Sequence, residues 1–130
     1  MKKSKKPLPK VTVLSYGRYT KWDRDDPALP KLVDLTERVK AEVGVEFGMV
    51  VEMAQARGRY LDFKIEHPPF TDSDGNVEPV FEGTVQIKYN PYSFFLGDTI
   101  WEPVEDKKGP WTMSVFMEGT RLATKTIYLI

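Results

Sequence analysis

Three stretches of the chain alternate apolar and polar residues with a period of two, and nothing else in the sequence limits the fold as strongly. In residues 60–66, Leu61, Phe63 and Ile65 alternate with Tyr60, Asp62, Lys64 and Glu66. In residues 84–89, Val85, Ile87 and Tyr89 alternate with Thr84, Gln86 and Lys88. In residues 111–118, Trp111, Met113, Val115 and Met117 oppose Thr112, Ser114 and Glu118. Successive side chains of a strand point to opposite faces, so this pattern marks half-buried strands of an antiparallel sheet with one wet face. Trp111 is therefore expected inside, and Phe116, of opposite parity, nearer the surface.

Further strands are expected where β-branched and aromatic residues gather, at 11–19 and 47–55. Residues 121–130 read as a terminal strand with two competing inward sets. Ala123, Ile127 and Leu129 form one, Leu122, Tyr128 and Ile130 the other, and a bulge would reconcile them. Residues 32–43 are open between two forms. Leu32, Leu35, Val39 and Val43 fall near helical spacing, whereas Val33, Leu35, Val39, Ala41, Val43, Val45, Phe47 and Met49 share odd parity, broken only by Glu37. Turn residues punctuate the chain at 23–30, 56–58, 67–76, 90–92, 105–110 and 118–120, the last with Gly119 at positive φ. About seven strands at such intervals predict an all-β, antiparallel, immunoglobulin-like β-sandwich over residues 11–130, with a small barrel as the alternative. A chain of 130 residues forms one domain with a core large enough to need no staple, and it contains no Cys to make one.

Charge narrows the partners. The formal net charge is zero, but Lys2, Lys3, Lys5, Lys6 and Lys10 lie in the first ten residues with no acid among them. The remainder carries 14 basic and 19 acidic residues, a poor match for the phosphates of nucleic acid. Residues 1–10 read as a basic, flexible tail. The start resembles the positive end of a secretion signal but runs into Pro7 and Pro9 without an apolar stretch, and no segment approaches a membrane span. A cytoplasmic, soluble protein is expected.

The patches YGRY (16–19), ERVKAEVGVEFGMVVEM (37–53), KIEHPPF (64–70) and GPWTMSVFMEGTRLATKTIYLI (109–130) together resemble a family of bacterial domains of unknown function, family 3859. The likeness runs from about Val11 to Ile130. It implies a stand-alone β-sandwich and a strand or strand edge at residues 32–43. It brings no catalytic residue with it.

Few residues are candidates for chemistry. His67, the lone histidine, sits before a proline turn without an evident orienting carboxylate, and is read as an imidazole bonded to loop backbone. Asp72, Asp74, Asn76 and Glu78 alternate as in a calcium loop, but the glycine and the closing glutamate that such a loop needs are out of place. No catalytic, cofactor or metal site is predicted. The residues best suited to a binding surface are Tyr92, Phe94, Phe95, Trp101 and Phe116, because aromatic rings dominate interfaces. The expected function is that of a non-catalytic interaction module for a protein partner or a second copy of itself. A carbohydrate-binding module using the rings around Trp101 is the alternative, and a hydrolase involving His67 the third.

Overall fold

Two of the three alternating stretches, 60–66 and 111–118, become strands that bury the face their parity assigns to the core, and the third does so only in part. The computed structural model describes residues 7–23, 25 and 28–130. Among them run nine strands: β1 (Val11–Tyr19), β2 (Leu32–Leu35), β3 (Arg38–Val39), β4 (Glu46–Met53), β5 (Tyr60–Glu66), β6 (Phe81–Gln86), β7 (Tyr92–Thr99), β8 (Gly109–Met117) and β9 (Thr120–Leu129). They form two packed sheets, ordered β2-β1-β4-β7 and β3-β9-β8-β5-β6. All pairings are antiparallel except that of β3 with β9. The fold is an all-β immunoglobulin-like sandwich. Residues 1–6 of the expected tail lie outside the described residues; of the rest, Pro7 accepts a hydrogen bond at its carbonyl from the Arg59 guanidinium at 2.8 Å.

The core lies between Phe47, Met49 and Val51 of β4 and Trp111, Met113, Val115 and Met117 of β8, with Leu61, Ile65, Ile127 and Leu129 beside them. Trp111 is fully buried, edge-on to Phe47 at 5.1 Å between ring centres. Its indole N–H donates to the Lys107 carbonyl at 2.8 Å, which satisfies the one polar atom of a large apolar group. On the outer face of β8, Ser114 is buried where the alternation predicted a wet position. Its hydroxyl pairs with that of Thr124 at 2.9 Å, and Thr112 with Thr126 likewise, so polar burial there is matched hydroxyl to hydroxyl.

Residues 32–43 form strands, but not one strand. β2 belongs to one sheet and β3 to the other, and the chain crosses between them at Thr36 and Glu37. The Thr36 hydroxyl accepts the Arg38 N–H at 3.0 Å, and the Glu37 carboxylate bonds the Lys125 ammonium at 2.7 Å. The same ammonium lies 3.8 Å over the Tyr16 ring. Glu37 thus interrupts the apolar run because it fastens the crossover. The odd parity does not carry through: Val39 and Ala41 are buried, but all four residues of β2 are exposed, Leu35 at 63%.

β9 contains the bulge. Val115 pairs with Ala123 and Phe116 with Arg121, which leaves Leu122 as the extra residue. Leu122 and Ala123 both reach the core, and Ile127 and Leu129 continue the inward set. At the hairpin, Glu118 as well as Gly119 takes positive φ. β6 runs from Phe81 to Gln86 rather than from Thr84 to Tyr89. Ile87 remains buried, but Tyr89 is turned out, 67% exposed.

β7 is the strand the alternation missed. Tyr92 and Phe94 pack on the core, while Phe95 joins Tyr19, Val50 and Trp22 in a second cluster on the outer face of the same sheet. A strand covered on both faces shows an unbroken apolar run rather than a period of two.

Replacing Trp111 by Ala should cost roughly 3–5 kcal/mol, the usual range for emptying a core aromatic site, while Phe116→Ala should cost much less. Urea unfolding of both variants measures the difference.

Candidate functional site

β7 ends its sheet, so its outer edge carries main-chain groups that no strand among the described residues pairs. Along that edge runs a trough of about 700 Å³. Its floor includes the consecutive residues Tyr92, Ser93, Phe94 and Phe95. Neighbouring side chains of a strand point to opposite faces, so four in a row can share one hollow only where it follows the strand edge. One wall holds Trp22 and Leu29, from the connection between β1 and β2; the other holds Val85, Gln86, Lys88 and Tyr89, from the end of β6 and the turn after it.

The Ile100 N–H donates to the Val45 carbonyl at 2.9 Å, which sets the phase of the β4–β7 ladder. Antiparallel alternation from that bond turns the main-chain groups of Thr99, Gly97, Phe95 and Ser93 away from β4, and of these Phe95 and Ser93 lie at the trough. The Thr99 N–H indeed bonds the Asp98 carboxylate at 2.8 Å instead of β4. The rings at the trough stand nearly parallel: Tyr89 to Tyr92 at 28° and Tyr92 to Phe94 at 16°, with centres 6.5 and 6.4 Å apart. Burial, and after it the neighbouring Tyr89, pushes the Tyr92 phenol above the ordinary tyrosine range.

The five surface candidates therefore divide. Tyr92, Phe94 and Phe95 line the trough, although Phe95 is only 2% exposed. Trp101 lies two residues beyond the far end of β7, 36% exposed, where it covers a buried lysine. The Lys107 ammonium stands 4.7 Å from the Trp101 ring and 4.6 Å from that of Phe70. It donates to the Pro103 carbonyl at 2.9 Å and to the Asp106 carboxylate at 2.7 Å. Phe116 is on a different sheet, under the Lys64 ammonium at 5.8 Å. Tyr89, Trp22 and Ser93 are further trough residues that were not among the candidates. Only the aromatic density of residues 89–95 hinted at it in the sequence; Trp22 arrives from seventy residues away.

Both His67 ring nitrogens lie within hydrogen-bond distance of carbonyl oxygens, Nδ1 of Pro68 at 2.8 Å and Nε2 of Pro79 at 2.7 Å, so that whichever carries the proton donates to one of them. Its ring stacks on Phe70 at 4.4 Å between centres. In the 72–78 loop, one Asp72 carboxylate oxygen accepts the N–H groups of Asp74 and Asn76 at 2.9 and 3.0 Å, an Asx turn. Among the described residues no helix is long and apolar enough to cross a membrane.

Two packed, mostly antiparallel sheets define an immunoglobulin-like sandwich, and a solved structure shares that fold. The crystal structure of an immunoglobulin-like protein from Pseudomonas aeruginosa superposes with a TM-score of 0.75 at 22% identity, over 93% of this chain and 97% of that one. Residues 8–128 match the domain of unknown function DUF3859, and the chain belongs to that family. No curated protein matches the sequence.

Lys107→Met keeps the apolar stem between Phe70 and Trp101, whereas Lys107→Ala empties that space. Thermal unfolding should place Lys107→Met within about 1.5 kcal/mol of the wild type and Lys107→Ala at a loss of about 2–4 kcal/mol.

Proposed function

We propose that this domain is a non-catalytic interaction module that takes up an extended polypeptide segment along the open edge of β7. The observation that carries it is the set of consecutive floor residues, Tyr92 to Phe95, between a wall of Trp22 and Leu29 and a mixed wall in which Val85 and Tyr89 stand beside Gln86 and Lys88. An added strand gains affinity from main-chain bonds and specificity from hollows for alternate side chains. Here Ser93 and Phe95 supply the former, and Tyr89, Tyr92, Phe94 and Trp22 the latter. The placement of both His67 nitrogens against main-chain carbonyls supports a binding rather than a hydrolytic role, since a general base needs a nitrogen facing its substrate.

A phage library of linear peptides panned on the immobilised domain should yield binders rich in alternating apolar residues. Ser93→Pro removes an outward N–H, a change tolerated at sheet edges. It should weaken those peptides at least tenfold, about 1.4 kcal/mol, with the fold retained. Binders indifferent to Ser93→Pro, or none at all, would refute strand capture.

The near-parallel Tyr89, Tyr92 and Phe94 rings favour one second reading, in which the apolar faces of sugar rings stack on them. A soluble glycan array separates the two. Sugar binding would be lost in Tyr89→Ala and kept in Ser93→Pro.

A further inference from the structure

We propose that the segment taken up by the β7 trough is β2 of a second copy of this chain, so that copies join head to tail through the two open edges of one sheet. This rests on the strand-capture reading above and names its partner. β2 is the other terminal strand of the sheet that ends in β7. It exposes Leu32, Val33 and Leu35 together, an apolar edge of the kind that invites pairing with another chain.

Polarity, length and charge fit this occupant. β1 runs antiparallel to β4 and to β2, and β4 antiparallel to β7, so β2 and β7 run in opposite directions. A neighbour placed in line would therefore continue the sheet with an antiparallel pair. β2 has four residues, and the trough floor holds four consecutive residues of β7. In that orientation the Leu35 end of β2 meets the Tyr92 end of β7. Asp34 then comes toward Lys88 at the trough wall. Lys31, at the other end, comes toward a second hollow lined by Asp23, Glu46 and Asp98, with Lys21 at its side. Because the joined surfaces differ, each added copy leaves a free trough and a free β2. Growth is open-ended unless a ring closes.

Sedimentation velocity tests this on the full chain and two variants. The wild type should associate as its concentration rises toward roughly 1 mM, without stopping at a dimer. Val33→Lys with Leu35→Lys spoils β2 and leaves the trough; Ser93→Pro spoils the trough and leaves β2. Each alone should stay monomeric, and an equimolar mixture should form a 1:1 complex that grows no further. If Ser93→Pro fails to fold, Tyr89→Lys takes its place, since it sets a cation in the trough from an exposed position. A Ser93→Pro variant that still associates by itself would show β2 pairing with β2 and overturn the proposal, and so would a wild type that associates while the mixture does not. A wild type that stays monomeric also overturns it. Should that monomer still capture library peptides in a Ser93-dependent way, strand capture stands without self-assembly; if it captures none, both fall.

Discussion

The hydrogen bond from the Trp111 indole to the Lys107 carbonyl joins the two halves of this structure that have least in common. On one side of it lies the apolar interior of the sandwich, where the indole meets Phe47. On the other is a short 3₁₀ turn, Glu105–Lys107, that carries the buried ammonium under Phe70 and Trp101. Without that acceptor, burying the indole would leave a donor unpaired, a cost comparable to a lost hydrogen bond. The bond fixes the turn, the turn fixes the ammonium, and the ammonium holds the two rings that close this end of the domain. His67, stacked on Phe70 with its ring nitrogens facing two carbonyls, belongs to the same closure.

How much of this was legible followed from how each strand is covered. β5 and β8 have one face inside and one outside, and their alternation gave both their existence and their buried faces. β7 is covered on both sides, so Phe94, Phe95 and Leu96 follow one another without a polar break and leave no period of two to mark a strand. β2 is covered on neither, and its apolar residues resembled core because sequence records what a side chain is, not whether anything faces it. The trough was half visible: residues 89–95 announced their rings, whereas Trp22 depends on the path of a long connection, which leaves no local mark. Trp101 stands apart from the trough for a physical reason, since it lies against a cation at its own end of the sandwich.

The two ends of the β2-β1-β4-β7 sheet are unlike in an instructive way. β2 is short and displays apolar side chains; β7 is longer and sits between walls that supply apolar lining. Open edges are usually blunted by charge or proline, and here Asp34 is the only charged side chain in β2. The opposite sheet has another solution on one side, where β3 lies parallel along β9 and closes it.

That parallel pair also determines how the domain would bear tension. β9 leaves the sandwich held on both sides, by β8 and by β3, with bonds from Tyr128 N–H to the Glu37 carbonyl, from Ile130 N–H to the Val39 carbonyl and from Ala41 N–H to the Ile130 carbonyl. A pull on the chain at Ile130 acts along the strand, so these bonds are sheared together instead of being peeled one after another. Resistance to sliding therefore extends along β9 as far as Ile130, shared between its two neighbouring strands.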